Sequence, residues 1–125
     1  MKAIVKTSQE AGVFEVKEMP TPKPDRGEVL VQVKAASLCY TDVAILNNKY
    51  KGRRPVPIPI IMGHEGTGVV AALGEGVTNV SVGDRVGVEV LYGCGSCINC
   101  LNGNSNMCTN WRHIGITYNG IFAEY

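Results

Sequence analysis

Four of the chain's five cysteines stand between Cys94 and Cys108, spaced C-x2-C-x2-C-x7-C. Thiolates are favoured protein donors for zinc, and a structural zinc takes four ligands in a tetrahedron. A C-x-x-C pair curls the backbone so that two sulfurs face one point. Here two such pairs share Cys97, and the loop through Asn102–Asn106 returns Cys108 as the fourth donor. Gly93, Gly95 and Gly103 supply the backbone freedom that such tight turns require. Two disulfides would need an oxidising compartment, which nothing in the composition supports. A thioredoxin-like redox pair would leave two cysteines unexplained and lacks a βαβ setting. The spacing points to a structural Zn2+ held by Cys94, Cys97, Cys100 and Cys108. With four thiolates that site has no open position and catalyses nothing itself.

The fifth cysteine, Cys39, opens the stretch CYTD, and His64 lies in GHEGTG. A lone cysteine is more often a small buried hydrophobe, and a lone histidine a satisfied core or surface residue. Taken alone, the two read equally well that way or as a metal pair. Their neighbours bear on the choice. Asp42 can accept the second ring N–H of His64, the usual partner of a metal-bound imidazole. Thr41 offers a hydroxyl for proton transfer, and Gly63, Gly66 and Gly68 would let backbone approach a cofactor closely. GTGVVA (Gly66 to Ala71) nominally matches the dinucleotide fingerprint G-x-G-x-x-A. That fingerprint needs a helix opening at its glycines, whereas Val69–Val70 followed by Gly74 and Gly76 reads as strand and turn. No βαβ unit is visible in the chain.

The elements that must position these residues are short. Ala3–Lys6 and Phe14–Lys17 read as strands with Gly12 as the turn between them, and Pro20–Pro24 as an extended connector. Val29, Val31, Val33 and Ala35 alternate with Leu30, Gln32 and Lys34, the pattern of a half-buried strand whose solvated face includes Glu28 and Lys34. Gly68–Leu73 and Arg85–Leu91 are further strands. One short helix is expected over Thr41–Leu46, capped by Thr41 or Asp42 and ended by Asn47–Asn48. Many short strands joined by glycine turns predict a mainly β fold, a small irregular barrel.

At 125 residues the chain has the length of one domain. Twelve basic and 11 acidic side chains nearly balance, giving no electrostatic reason to expect nucleic acid or an anionic membrane. The start, MKAIVKTSQE, is too polar for a signal peptide, and the most apolar run, PVPIPIIMG, is too short and too broken by proline to span a bilayer. The expected compartment is the cytoplasm, where clustered cysteines serve metal or redox chemistry.

Taken together, the motifs resemble the N-terminal, GroES-like catalytic domain of the medium-chain, zinc-dependent alcohol dehydrogenases. GHEGTGVVAALGEGV (Gly63 to Val77) is similar to the family's zinc signature: G-H-E, two residues, G, five residues, G, two residues, V. VGDRV, the four-cysteine lobe and the closing GIFAEY resemble family landmarks in the expected order, so the likeness covers essentially residues 1–125. It implies a GroES-like partial barrel with short helices and a zinc-binding lobe over residues 91–113.

The same resemblance implies that Cys39 and His64 bind a catalytic zinc and that Thr41 is the proton-relay hydroxyl. Asp42 would orient His64, Glu65 would lie beside the metal and join its ligands in some members, and Cys94, Cys97, Cys100 and Cys108 would hold the structural zinc. The implied reaction uses zinc as a Lewis acid on an alcohol oxygen, with hydride passing from carbon to NAD or NADP. The family's third catalytic ligand and its Rossmann coenzyme domain are expected beyond Tyr125. The chain would then be one part of a longer enzyme, inactive alone, whose parent acts on a small alcohol or carbonyl compound as a homodimer or homotetramer. Two positions depart from the family. Ala44 stands where a histidine often carries the proton to solvent, and Tyr40 follows the first ligand, where a coenzyme contact is expected. His113 reads as a loop-satisfying residue and not a ligand. The alternative function is a self-sufficient zinc-binding scaffold or interaction module, which would need the four-cysteine lobe but not Cys39, Thr41, Asp42 and His64.

Overall fold

The computed structural model describes residues 1–125. Lys2–Lys6 form β1, which pairs antiparallel with β2 (Glu15–Glu18) on one side. Its other edge takes β4 (Ile60–Ile61) in the order β2-β1-β4. The register Lys2↔Glu18 to Val5↔Glu15 carries the hairpin one residue past each expected boundary and leaves Phe14 outside it, 49% exposed. The second sheet has the order β3-β5-β6, from β3 (Val29–Ser37), β5 (Glu65–Leu73) and β6 (Arg85–Gly87). Gly66–Ala71 lie inside β5, so these glycines open no helix.

Two expectations fail here for identifiable reasons. β3 does not alternate: Leu30–Val33 are all partly buried and Lys34–Ser37 all exposed. Register shifts between Leu30 and Val31 and between Val33 and Ala35 interrupt the pairing with β5, and such bulges re-aim the side chains that follow. Arg85–Leu91 is not one strand. It divides into β6 and β7 (Leu91–Tyr92), because Val88 N–H still donates to Gly66 O at 3.1 Å whereas Val90 O already accepts from Ile114 N–H at 3.2 Å. β7 then pairs with β8 (Arg112–His113), Leu91 opposite His113, and closes the base of the cysteine loop.

The C-terminal residues strap the two sheets into a partial barrel. Ile4 N–H donates to Phe122 O at 2.8 Å and Glu124 N–H to Lys2 O at 3.1 Å, while Val33 N–H donates to Glu124 O at 3.0 Å. The same strap holds the approach to His64, through Phe122 N–H to Met62 O at 2.9 Å and Ile121 N–H to Gly63 O at 3.0 Å. Three helical pieces complete the chain: α1 (Tyr40–Leu46), α2 (Ile98–Leu101) and a 3₁₀ turn at Ser105–Met107, the last two within the cysteine loop. One small core joins Ala3, Val5 and Ile61. The other joins Ile45 of α1 to Cys108, Trp111 and Ile116, so the cysteine loop is not an appendage but shares a core with the helix that follows Cys39.

Candidate metal centres

Two groups of donor atoms gather within 4.8 Å: the sulfurs of Cys94, Cys97, Cys100 and Cys108, and atoms of Cys39, His64 and Glu65. In the first, Cys97 Sγ lies 3.5 Å from Cys100 Sγ and 3.8 Å from Cys108 Sγ. A tetrahedral ion with metal–sulfur bonds of ~2.3 Å sets its sulfurs about 3.8 Å apart. The backbone prepares the thiolates. Cys94 N–H and Asn110 N–H donate to Cys108 Sγ at 3.3 and 3.2 Å, and Ser96 Oγ to Cys94 Sγ at 3.6 Å. The Ser96 backbone N–H and hydroxyl bring the Cys94 thiol down to about 6, while burial pushes Cys100 up to about 11. Two glycines are required for different reasons. A Cβ on Gly93 would lie 2.6 Å from Cys100 Sγ, and Gly103 turns the loop at φ +78°.

In the second group, the structure corrects the expected cap. Cys39, not Thr41 or Asp42, caps α1, and Asp42 sits in its first turn with Oδ2 accepting the Cys39 N–H at 3.0 Å. The carboxylate closing back on Cys39 starts the helix at Tyr40, one residue early. Asp42 is only 1% exposed, and its Oδ1 stands 3.3 Å from His64 Nδ1. Neither of these buried atoms has another polar partner, so each answers only the other. With Nδ1 committed to Asp42, His64 presents Nε2 to Glu65 Oε1, 4.0 Å away.

Glu65 opens β5 directly opposite Ser37 of β3. Ser37 Oγ donates to Glu65 Oε2 at 2.6 Å, and chiefly this bond holds the Glu65 carboxyl below the usual range. Sequence reading misses Ser37, because its signal is a cross-strand register. It also misses Lys6, buried in β1, whose Nζ donates to Glu10 O at 3.0 Å and Leu46 O at 3.1 Å and so anchors the C-terminal end of α1. Burial lowers the Lys6 pKa.

The remaining candidates fall as follows. Thr41 is half-buried on the first turn of α1, and Tyr40 beside it is 79% exposed. His113 Nδ1 bonds Ile114 O at 2.7 Å, as a loop residue would, yet its ring stands edge-on to His64 with centroids 5.4 Å apart. The glycines of GHEGTG answer to the protein's own packing and not to an approaching cofactor. A Cβ on Gly63 would strike the Phe122 ring, one on Gly66 would lie 2.8 Å from Ala35 O, and one on Gly68 would meet Val31 Cγ1 at 2.5 Å.

The donor chemistry of both groups fits zinc. Four thiolates make a closed structural set, whereas thiolate, imidazole and carboxylate make a three-donor set of the kind that leaves a position open.

Known proteins with this chemistry match the chain. The alcohol dehydrogenase GroES-like domain family matches residues 25–125. The chain is 44% identical over 125 residues to an L-threonine 3-dehydrogenase of Bacillus subtilis, covering 100% of the chain and 36% of that protein. It is 41% identical over 126 residues to a sorbitol dehydrogenase of Halalkalibacterium halodurans, again covering 36% of the relative. A crystal structure of an NAD-dependent alcohol dehydrogenase superimposes with a TM-score of 0.89 at 35% identity, over 99% of this chain and 36% of that one. The chain thus spans about a third of the length of the curated relatives it matches. The fold, the zinc signature and the matched span agree: this chain belongs to the alcohol dehydrogenase GroES-like domain family.

Proposed function

We propose that this chain is the substrate- and zinc-binding domain of an NAD- or NADP-dependent alcohol or polyol dehydrogenase, paired with a Rossmann coenzyme domain outside residues 1–125. The observation that carries this reading is the convergence of Cys39, His64 and Glu65 within 4.8 Å, beside the helix that bears Thr41. A scaffold module would need none of it. In this reading Cys39, His64 and Glu65 hold the catalytic zinc, which when bound supplies Lewis acidity toward an alcohol oxygen.

The chain's own residues do the rest. Asp42 fixes the His64 ring so that Nε2 faces the metal, and Ser37 steadies the Glu65 carboxylate. Thr41 Oγ1 accepts the proton of the substrate hydroxyl. With Ala44 one turn further along α1, that proton leaves by water or another group. Tyr40, exposed at the start of α1, contacts the coenzyme. Cys94, Cys97, Cys100 and Cys108 hold the structural zinc, which keeps Trp111 and Ile116 packed on Ile45. The relatives named for threonine and sorbitol support a small, polar alcohol as substrate. Five cysteines with no disulfide among them suit a cytoplasmic parent, which we expect to be a homodimer or homotetramer.

The test is alcohol-dependent reduction of NAD and NADP by the full-length protein, with Cys39→Ala and Thr41→Ala variants alongside. Oxidation that both variants abolish supports the reading. Absence of oxidation with either coenzyme, or wild-type rates in the Cys39 variant, overturns it.

A further inference from the structure

A cavity of about 290 Å³ opens beside the candidate catalytic site, lined by Tyr50, Arg53, Leu91, Asn106, Trp111 and His113. His113 is the wall shared with that site, its ring 5.4 Å from the ring of His64. The polar groups in the cavity are unlike one another. No acidic residue lines it, and Arg53 has no carboxylate or hydrogen-bond partner, although the other ion pairs of the protein are accounted for. Its neighbour Arg54, by contrast, is committed to Thr109 O and Asn110 Oδ1 and lies over Trp111. His113 Nδ1 faces a carbonyl, which only accepts, so Nδ1 carries the proton and Nε2 is left as an acceptor. Burial raises the Tyr50 phenol, which therefore remains a donor, and Gly52 leaves room for its ring, since a Cβ there would strike it.

We propose that this cavity holds the anionic group of the substrate. The alcohol oxidised is then a small hydroxy acid or hydroxyalkyl phosphate, with Arg53 as its counter-ion. A guanidinium fork matches the paired oxygens of a carboxylate or phosphate, and here no acid competes for it. At ~30 Å³ for a water-sized group, the volume accommodates roughly ten such groups, enough for a short-chain substrate and too little for a large one. This inference rests on the dehydrogenase reading above, which it narrows to a substrate class.

Trp111 is the single tryptophan of the chain and lines the cavity, so its fluorescence reports occupancy. The protein is titrated with 3-hydroxybutyrate against 2-butanol, and with glycerol 3-phosphate against glycerol, the two pairs separating carboxylate from phosphate. The expected result is tighter, salt-sensitive binding of at least one anion than of its neutral partner. In Arg53→Gln that preference falls roughly tenfold, and Arg53→Lys retains part of it. An unchanged preference in Arg53→Gln, or equal binding of anion and neutral alcohol by the unmodified protein, overturns the proposal. If no ligand perturbs Trp111 while the full-length protein oxidises neutral alcohols, the proposal falls and the dehydrogenase reading stands. If the anions bind through Arg53 but the full-length protein oxidises no alcohol, the anion site stands and the dehydrogenase reading falls.

Discussion

Asparagine at position 42 would separate two tasks that Asp42 performs at once. Two N–H groups face this buried carboxylate: the Cys39 backbone at 3.0 Å and the His64 ring at 3.3 Å. A carboxylate accepts both. An amide offers one acceptor and one donor, so in either orientation Asp42→Asn sets a donor against a donor. One buried N–H left unpaired costs about 1–3 kcal/mol. Asp42→Ala loses both bonds, adding about 1 kcal/mol for the helix cap, so its cost is about 2–4 kcal/mol. The effect on metal depends on which bond is lost. Where the His64 bond goes, affinity of the Cys39–His64–Glu65 site falls roughly 10–100-fold, the usual effect of removing the partner of a ligating imidazole. Urea unfolding measures the stability, and cobalt titration followed by absorption measures the site. Asp42→Asn should show a deficit in one of the two and Asp42→Ala in both, with metal in the four-cysteine site unchanged. An Asp42→Asn protein matching the unmodified one in both measurements would refute the reasoning.

Two further outcomes follow from the hydrogen bonds around the ligands. Ser37 chiefly holds the Glu65 carboxyl below its usual range, so its stabilising effect is present above the ordinary glutamate pKa and is lost as pH falls through the depressed value. Ser37→Ala should raise that pKa toward normal, read from the Glu65 carboxyl carbon shift by NMR in metal-free protein; an unmoved titration contradicts the assignment. In the same metal-free protein near neutral pH, Cys94, held at about 6, is largely thiolate and Cys100, at about 11, is thiol. Limited alkylation with mass spectrometry should therefore find Cys94 modified well before Cys100, and the reverse order would contradict it.

What the sequence revealed, and what it concealed, divides along local and non-local lines. The four-cysteine loop was legible because its ligands lie within one short segment and its spacing carries the geometry. Cys39 and His64 were legible only as an open alternative until the neighbouring motifs brought in a family resemblance. Their meeting depends on β3 and β5 pairing so that Ser37 and Glu65 face each other, a long-range register that no local pattern encodes. The bulges in β3 hid for the same reason, since they are set by the partner strand. The cap at Cys39 was missed by weighing side-chain type alone. Cysteine is a poor cap by type, and the Asp42 carboxylate supplies the closing bond instead. The glycines of GHEGTG were read toward a cofactor, whereas Phe122, Ile121 and Ala35, remote in sequence from most of them, are what crowd them.

The central claim is that this chain carries two unlike zinc sites, one structural and one catalytic. Metal content after extensive dialysis tests it most directly, on the intact protein and on Cys39→Ala and Cys97→Ala variants. The four-sulfur site is local and complete, and its binding is partly folding free energy, on the order of 10 kcal/mol for comparable sites. The Cys39–His64–Glu65 site has only three donors, one of them the 45%-exposed Glu65 carboxylate. The account predicts about one tightly held zinc, retained in the Cys39 variant and lost with unfolding of the cysteine loop in the Cys97 variant, and a second bound only when zinc is supplied. Tight zinc lost from the Cys39 variant but kept by the Cys97 variant would contradict it.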